Sequence, residues 1–365
     1  MASFDEVLKD CTKLGTKIPT SEYLENGKYP IIDQGQNDIA GYYDSDDGLF
    51  EDVPIIVFGD HTRIVKYIDK PCFLGADGVK LLCPVSKDTN CKYLFYQLAH
   101  ADIPNTGYNR HFKWVKALNF KIPSSDEQNH VVEVLDKVTE LISLRKQQLA
   151  RLDELVKARF VEMFGDAKLN PYDFPCNSLS EYILFLTSGS RGWSQYFTDS
   201  GEYFITIKNV KNCRITLQDV QYVIPPDNAE AKRTKVQEND LLISITADLG
   251  RTGVVPKEIA KHGAYINQHL TCIRLNLEKV NPIYVAYYME SDAGKEQFAS
   301  KNQSAVKAGL NFNAINSLKL IVPPLSLQND FAAFVERVDQ QKQTVQQSLE
   351  KLELMKKALM QEYFG

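Results

Sequence analysis

The sequence predicts an α+β fold in which two pseudo-repeated α/β-type domains are separated by two long antiparallel coiled-coil helices. Three observations indicate this class: an internal repeat at an offset of 200 residues, a heptad pattern inside both copies, and short β-type runs elsewhere. An internal repeat constrains an architecture more strongly than local propensity does. A chain of 365 residues is also long enough for two domains.

The repeat pairs residues 118–129, LNFKIPSSDEQN, with residues 318–329, LKLIVPPLSLQN. In each copy an alternating apolar strand runs to a proline, a short turn follows, and Gln-Asn comes next, as Gln128-Asn129 and Gln328-Asn329. The offset continues without a gap to Phe-Gly at 164–165 and 364–365. The chain is therefore predicted to contain the same unit twice.

Both copies of the repeat continue as long helices with a heptad seam. The apolar positions are Val131, Leu135, Val138, Ile142, Leu149, Leu152, Val156 and Met163 in the first helix, and Phe331, Val335, Val338, Val345, Leu349, Leu352, Leu359 and Tyr363 in the second. The polar interruptions do not coincide, since Arg145 and Arg159 lie on the first seam and Lys342 and Lys356 on the second. The two helices therefore suit pairing with each other better than with copies of themselves.

The ends of the helices carry start and stop signals. Ser125 followed by Gln128 predicts a capping box at the start of the first helix. Gly165 and Gly365 predict the two C-terminal stops. A helix from about Asp126 to Phe164 would be about 58 Å long at 1.5 Å per residue.

The two regions outside the helices predict divergent copies of one α+β domain. Their short β-type runs, among them PIIVFG, VKLLCP, LLISIT and LTCIRL, are separated by Gly, Pro, Asn and Asp. GKYPII at 27–32 is similar to GEYFIT at 201–206, and NCKYLFYQL at 90–98 is similar to NPIYVAYYM at 281–289. Similar scaffolds with unlike loops, joined to near-constant spacers, indicate two recognition modules held at a fixed separation.

Composition favours a cytoplasmic protein that has no membrane partner. There is no run of eighteen apolar residues, and the first residues, MASFDEVLKD, lack the features of a signal peptide. The seven cysteines are scattered singly without zinc spacing, as expected of buried thiols in a reducing cytosol. The net charge of −5 argues mildly against nucleic acid as a partner, although it says nothing about local patches.

The sequence predicts a chain that binds and does not catalyse, with no catalytic or metal-ligating residues. It contains no GxxxxGK[ST], no HExxH and no nucleophile elbow. NPYDFP at 170–175 is similar to a methyltransferase turn, but Tyr172 replaces a proline and no Gly-rich turn precedes it. The sequence also matches the residue pattern of a nuclease metal site at Asp227, Glu230 and Lys232. No strand lies between the two carboxylates to bring them together at a metal ion, so a surface turn is expected instead.

Two variable regions, each followed by a strand, a proline–glutamine turn and a long helix ending in Phe-Gly, resemble the specificity subunit of type I restriction–modification enzymes over essentially the full length. LGTKIPTSEY at 14–23 is similar to the opening of that family's target recognition domains. GYNRHFKWVKALNFKIP at 107–123 and AVKAGLNFNAINSLKLIVPP at 305–324 resemble the segments that lead into its conserved helices. Two departures are Pro-Ser-Ser-Asp-Glu-Gln where Pro-Pro-Leu-x-x-Gln is usual, and Leu327 where Glu is typical.

The resemblance implies four segments: target recognition domain 1 at 1–125, a spacer helix at 126–166, target recognition domain 2 at 167–323, and a second spacer helix at 324–365. It implies a non-catalytic subunit that reads a bipartite double-stranded DNA target, one domain per half-site. Its helices would dock two methyltransferase subunits, and motor-nuclease subunits would join for cleavage. S-adenosylmethionine, ATP and Mg are expected on the partner subunits and no cofactor on this chain. The alternative is a coiled-coil protein-binding adaptor without DNA recognition, which the acidic balance slightly favours.

Side chains able to contact DNA cluster in loops of both regions. Arginine suits guanine and the amides of Asn and Gln suit adenine, while phosphate contacts usually outnumber base contacts. The candidates are Gln34, Gln36, Asn37, His61, Arg63, Asn105, Tyr108, Asn109, Arg110, His111 and Lys113 in the first region, and Ser190, Arg191, Lys208, Asn209, Arg251, Lys301, Asn302, Gln303 and Lys307 in the second. Asn109-Arg110 and residues 301–307 are favoured, because both precede a strand-to-helix entry and mix cations with amides.

Overall fold

The computed structural model describes residues 1–75, 78–302 and 309–365, which form two compact units. Unit 1 comprises Met1–Gln148 with Val345–Gly365, and unit 2 comprises Leu149–Thr344. Two helices of 40 residues, Ser125–Phe164 and Leu325–Phe364, start at the predicted offset of 200. The structure mixes helix and sheet in both units, so the predicted fold class is confirmed. The predicted division into four segments stays a prediction, because the compact units divide each long helix.

Unit 1 contains a four-stranded antiparallel sheet and a three-stranded sheet. Its strands are β1 (Ala2–Ser3), β2 (Leu8–Asp10), β3 (Tyr29–Ile32), β4 (Gly41–Tyr43), β5 (Ile55–Gly59), β6 (Val65–Ile68), β7 (Phe73–Leu74), β8 (Val79–Pro84) and β9 (Asn119–Phe120). Its helices are α1 (Phe4–Val7), α2 (Cys91–His100), α3 (Phe112–Lys116) and the first part of α4 (Ser125–Phe164). The sheet orders are β2-β8-β5-β6 and β4-β3-β7, and β1 pairs with β9.

Unit 2 has the larger set of elements. Its strands are β10 (Cys176–Ser178), β11 (Ile183–Ser188), β12 (Phe197–Thr198), β13 (Glu202–Ile205), β14 (Val210–Lys211), β15 (Arg214–Ile215), β16 (Gln221–Val223), β17 (Leu241–Ser244), β18 (Thr252–Val254), β19 (Ala264–Ile266), β20 (Leu270–Leu275) and β21 (Lys319–Ile321). Its helices, besides the second part of α4, are α5 (Ala229–Thr234), α6 (Lys257–His262), α7 (Pro282–Glu290), α8 (Asp292–Lys301), α9 (Phe312–Asn316) and the first part of α10 (Leu325–Phe364).

The two units repeat one topology. The sheet β11-β20-β17-β18 has the strand order of β2-β8-β5-β6, and β10 pairs with β21 as β1 pairs with β9. The parallel pairing of β13 with β19 likewise repeats that of β3 with β7. The repeat detected in the sequence of the helices therefore extends to the sheets, although little of the sheet sequence is shared.

A helix packed on the four-stranded sheet forms the core of each unit. In unit 1, α2 contributes Tyr93 and Leu94 to a cluster that includes Phe58 of β5. In unit 2, α7 contributes Tyr284 and Val285 to a cluster with Leu241 and Ile243 of β17. Each large apolar side chain buried in this way contributes roughly 1.5–3 kcal/mol. The sheet and its helix therefore hold the strand ends, and the loops that follow them, in fixed places.

Within each unit the two long helices pair antiparallel, as predicted. In unit 1, Val131 and Leu135 share a core with Met360, while Lys146 Nζ lies 3.0 Å from Glu353 Oε1 further along α4. The numbering on α10 falls as that on α4 rises, which defines the direction.

The same direction holds in unit 2. There the rings of Phe160 and Phe331 lie 5.4 Å apart, and Lys342 Nζ lies 2.5 Å from Asp153 Oδ1. A polar interruption of the second seam is thus matched by a carboxylate on the first helix.

The predicted capping box at the start of α4 is shifted by one residue. Ser124 is the cap: its N–H and Oγ–H donate to Glu127 Oε2 at 3.0 and 2.7 Å, and Glu127 N–H donates back to Ser124 Oγ at 3.3 Å. These bonds lower the pKa of the Glu127 carboxyl. Gln128 was wrongly predicted in this role, because its amide is bonded elsewhere. Gly165 stops the helix as predicted, with φ +73°.

The described ranges contain no helix long and apolar enough to cross a membrane. All seven cysteines are free, and all except Cys176 are buried. Burial raises the pKa of Cys72 and of Cys91 to about 12, which keeps both thiols protonated and unreactive near neutral pH.

Candidate nucleic-acid interface

Four loop segments of unit 1 meet where β3 and β5 end, and we call this surface loop face 1: residues 33–37, 60–64, 78 and 105–111. The Gln34 side-chain carbonyl accepts a hydrogen bond from the His61 N–H at 3.1 Å, and its main-chain carbonyl accepts one from the Thr62 hydroxyl at 2.7 Å. Asp60 N–H donates to the Gly78 carbonyl at 2.7 Å. Gln34 therefore joins two loops and is a positioning residue of this surface.

The outer part of loop face 1 is aromatic and cationic. The Tyr108 ring is 90% exposed and stacks on His61 at 4.9 Å with an interplanar angle of 10°. Arg110, in the same segment as Tyr108, and Lys113, on the helix that follows it, are exposed. The Arg110 guanidinium makes no hydrogen bond or ion pair with any residue of the described ranges, and the Lys113 ammonium lies 5.1 Å from the Trp114 ring centre. Exposed cations and a stacked aromatic pair suit contacts to phosphates and bases.

Several of the other predicted residues in unit 1 hold the loops together. Arg63 Nη1 donates to the Ile103 carbonyl at 2.9 Å, and the Asn105 amide oxygen accepts from Gly107 N–H at 3.1 Å. Asn109 Nδ2 donates to the Thr106 carbonyl at 2.5 Å, although Asn109 remains exposed. Gln36 and Asn37 are exposed as well, and the Asn37 carbonyl accepts from Lys66 Nζ at 2.5 Å.

His111 requires a correction. Its side chain has no exposed surface, its Nδ1 lies 3.0 Å from the Asp60 carbonyl, and its own N–H donates to the same oxygen at 2.8 Å. A buried ring that is bonded on this side has no path to a base or phosphate. Its place is therefore beneath the surface, joining the 105–111 segment to the β5–β6 loop.

Unit 2 has the corresponding surface, loop face 2, formed by residues 189–192, 245–251 and 267–269 together with Asn302 and Gly309. The N–H of Ser190 donates to the Ile266 carbonyl at 2.8 Å, and the Thr246 hydroxyl lies 2.7 Å from His269 Nδ1. A side chain at Gly189 would put its Cβ 2.1 Å from the Asn267 carbonyl oxygen, so only glycine allows this close approach.

The remaining segments close loop face 2. Leu310 N–H donates to the Ile245 carbonyl at 2.9 Å, and Gly309 N–H donates to Asn302 Oδ1 at 3.2 Å. As in unit 1, the loop that leads from a central strand to the edge strand beside it, β17 to β18 here and β5 to β6 there, is part of the surface. The same topology thus presents two surfaces with different side chains.

The cations of loop face 2 differ in how they are held. Arg191 follows the tight Gly189 contact and precedes Gly192, whose φ is +74°, and its Nε donates to Gln268 Oε1. Its two Nη groups have no partner among the described residues. Arg251 pairs with Asp248. Two other predicted cations of unit 2 lie outside the residues that define loop face 2: Lys208 is exposed and Lys301 is half-buried.

Ser190 and Asn209 also require correction, because both are buried. The Ser190 hydroxyl lies 3.0 Å from that of Thr234. The Asn209 amide accepts from Thr206 N–H and hydroxyl at 3.0 and 2.9 Å and donates to the Thr216 and Gln218 carbonyls at 3.1 and 3.2 Å. All of its hydrogen-bonding capacity is used inside the protein.

Two further predicted residues, Gln303 and Lys307, lie outside the described residues. The favoured 301–307 segment is therefore represented here by Lys301 and by Asn302, which is exposed. Sequence reasoning missed Gln268, His269 and Thr246. The signal for the first two was the polar run Asn267-Gln268-His269 between two apolar strands, at the place of the β7–β8 loop in unit 1.

The nuclease-like residues at 227–232 were expected in a surface turn, but only Asp227 precedes helix α5 (Ala229–Thr234), and Glu230 and Lys232 lie on that helix. Lys232 Nζ lies 3.3 Å from Asp227 Oδ1 on exposed side chains, and Glu230 Oε2 accepts from Trp193 Nε1 at 3.1 Å. Across the described ranges, no group of three His, Cys, Asp or Glu side chains is arranged to hold a metal ion.

Comparison with known proteins gives a consistent result. The family described as the type I restriction modification DNA specificity domain matches twice, at residues 5–154 and 194–354. A Methanocaldococcus jannaschii chain assigned as the specificity subunit of the type I restriction enzyme MjaX is 24% identical, covering 95% of this chain and 86% of that one. The EcoR124I/EcoR124II specificity subunit of Escherichia coli is 22% identical, covering 88% and 82%.

The fold also matches the solved structure of a specificity subunit. The crystal structure of the type I restriction–modification S subunit from M. genitalium aligns over 100% of this chain and 95% of that chain. The TM-score is 0.61 at 16% sequence identity, which shows a shared fold.

Proposed function

The chain belongs to the family of type I restriction–modification specificity subunits, and from that premise we propose that it reads a bipartite double-stranded DNA target, one half-site with each loop face. Specificity subunits are the non-catalytic component of their complexes, so the activity of this chain is recognition. The observation that carries the proposal is the repeated topology with two different loop faces. Two copies of one scaffold with unlike contact residues are what two different half-sites require.

The antiparallel helices support a fixed gap between the half-sites. Half-site spacing follows the geometry of the protein that reads it, and helices transmit that geometry better than flexible linkers do. Apolar core contacts and ion pairs such as Lys146–Glu353 and Lys342–Asp153 pair α4 with α10 inside each unit. We therefore assign the helices the role of a spacer.

The partners follow from the family. We propose that the exposed faces of α4 and α10 dock two methyltransferase subunits and that motor-nuclease subunits join that complex. S-adenosylmethionine, ATP and Mg belong to those subunits in this proposal. Exposed apolar side chains on the helices, among them Leu141, Leu144, Leu155 and Leu354, offer surface for such docking.

Binding and methylation with the cognate methyltransferase subunit test the proposal. We expect a methylated motif of two short sequences at one fixed gap, and an affinity for that site that falls linearly with the logarithm of salt concentration. The control is Lys168→Ala, which removes an exposed cation outside the loop faces and the long helices, paired with Glu296 at 2.5 Å, and should leave the motif and the salt dependence unchanged.

Two results would reject this function. One is a complex that forms but methylates without a bipartite motif. The other is protein partners bound by the loop faces with no salt-dependent DNA affinity, which is the behaviour of the coiled-coil adaptor.

A further inference from the structure

The repeated Gln-Asn dipeptides form the same hydrogen-bonded structure in both units. Gln128 and Gln328 are 2% and 0% exposed. Gln128 Oε1 accepts from the Asn90 N–H at 2.9 Å and its Nε2 donates to the Pro123 carbonyl at 2.9 Å. Gln328 makes the equivalent bonds to Asn281 and Pro323, at 2.9 and 2.8 Å.

The neighbouring asparagines add a second bond on the protein surface. Asn90 Nδ2 donates to Asn129 Oδ1 at 2.8 Å, and Asn281 Nδ2 donates to Asn329 Oδ1 at 2.9 Å. We call these two sets amide clamp 1 (Asn90, Pro123, Gln128 and Asn129) and amide clamp 2 (Asn281, Pro323, Gln328 and Asn329).

Each clamp joins a spacer helix to the helix that lies on the recognition sheet. Asn90 and Asn281 are also the N-caps of α2 and α7: their side-chain oxygens accept from Lys92 N–H and Ile283 N–H, both at 2.9 Å. The Oε1 atom of each Gln amide therefore ties the first turn of α4 or α10 to the start of the sheet-packed helix, while Nε2 holds the proline carbonyl that precedes the same spacer helix. The clamp occupies the junction of the two rigid elements.

The path from a clamp to its loop face is short and well packed. In unit 1, Leu94 of α2 packs in the cluster that contains Ile56 and Phe58 of β5, and the 60–64 loop follows that strand directly. In unit 2, Val285 of α7 lies in the core cluster that contains Ile243 of β17, and that strand leads into the 245–251 loop. Because each step is a packed or hydrogen-bonded contact, a change of angle at the clamp moves the loop face.

We propose that the two amide clamps are positioning elements that set the angle of each loop face on its spacer helix, and so restrict recognition to one gap length. The inference rests on the proposed bipartite recognition. It assigns the gap to two determinants: the length of the helices, and the rigidity of the clamps where the helices begin. The half-site sequences themselves depend on the loop faces and not on the clamps.

The test is a DNA library with both half-sites fixed and the gap varied by one and two base pairs either way, methylated by the assembled complex. Gln128→Leu and Gln328→Leu keep the side-chain size but leave the Asn N–H and the proline carbonyl unpaired. We expect methylation at the neighbouring gaps, relative to the wild-type gap, to rise by about fivefold to thirtyfold in each variant. The half-site sequences should stay the same.

Controls come from the same helices. Gln147→Ala and Gln346→Ala each remove an amide that bonds only within its own helix, to Ser143 Oγ at 3.3 Å and to Glu350 Oε1 at 3.1 Å. Both side chains are exposed on the helices proposed to dock the methyltransferase subunits, so assembly of each variant complex is measured first, and each assembled complex should keep the gap as sharp as in wild type. Where a Leu variant fails to assemble, Asn129→Ala and Asn329→Ala, which change only the exposed bond, decide the question with an expected rise of about fivefold.

A clamp variant that methylates more slowly or melts earlier, with the gap as sharp as before, would show that the clamps only stabilise the fold. This outcome is separate from failure of the proposed function, in which wild type itself shows no bipartite motif.

Discussion

At the scale of single residues, Arg110 and Arg191 show two ways of presenting a guanidinium. Arg191 has its Nε bonded to Gln268, so the plane of the group is fixed while both Nη groups remain available. Arg110 is exposed without a partner among the described residues. Reading guanine through O6 and N7 requires a fork of fixed orientation, whereas a phosphate accepts a cation from many directions.

Arg191→Ala is therefore expected to relax preference at one position of one half-site, with a loss of about 1–3 kcal/mol of discrimination. Gln268→Ala should relax the same position more weakly, because Gln268 orients the guanidinium. The measurement is methylation of a library in which both half-sites are randomised. A slower enzyme with unchanged sequence preference would contradict base reading by Arg191.

Arg110→Ala is expected to weaken DNA binding almost uniformly across sequences. The slope of the logarithm of affinity against the logarithm of salt concentration should become shallower by about one. The measurement is DNA affinity at several salt concentrations, on the target and on unrelated DNA, with Lys168→Ala as the control. Loss of preference at one position with an unchanged slope would instead make Arg110 a base reader.

For polar loop residues, the sequence could not predict which side chains are buried. Asn109 and Asn209 look alike in sequence, since each stands in a loop beside a cation. Asn109 is exposed, whereas Asn209 is buried with four hydrogen bonds to residues up to nine positions away. The burial of the His111 ring likewise depends on a distant partner, the carbonyl of Asp60, 51 residues earlier. The residue types could be predicted, but burial depends on partners that one local pattern does not identify.

At the scale of elements, the helices were the most predictable part of the molecule. Their seams and their offset are local and periodic, and the structure has both helices at 40 residues. The predicted cap of α4 was wrong by one residue. Gln128 has the spacing from Ser125 that a capping box requires, but its side chain bonds Asn90 in amide clamp 1 instead. The strands were predicted as runs, but their order in the sheets depends on contacts far apart in sequence.

The helices lead to a prediction about length. Inserting four residues after Gln148 and four after Thr344, where the compact units divide, keeps the two helices matched. Four helical residues add about 6 Å, and one base pair rises about 3.4 Å, so the preferred gap should grow by one or two base pairs. Methylome sequencing gives the gap directly.

The half-site sequences are the internal control of that experiment, since the loop faces are unchanged. Insertion into α4 alone should instead reduce assembly, because the paired seams would then be out of register. A folded double-insertion variant with the original gap would contradict the spacer role of the helices.

At the scale of the whole molecule, the repeat implies that the chain is modular. Each unit has its own sheets, its own core and its own loop face, built on one strand order. Each amide clamp also lies inside one unit, so the geometry of one loop face on its helix does not depend on the other loop face. Recognition of the two half-sites should therefore be separable.

Replacing residues 171–317 with the matching segment of another family member tests this separation. The exchange removes loop face 2 together with α7 but keeps Gln328, so the incoming segment must supply the asparagine that Gln328 binds in amide clamp 2. We expect one half of the methylated motif to change, while the other half and the gap stay as in wild type. A donor that lacks this asparagine should give the new half-site with a less sharply defined gap, and Asn281 restored at that position should sharpen it again. A motif that changes in both halves would mean that the two loop faces read the target jointly, and modular recognition would have to be abandoned.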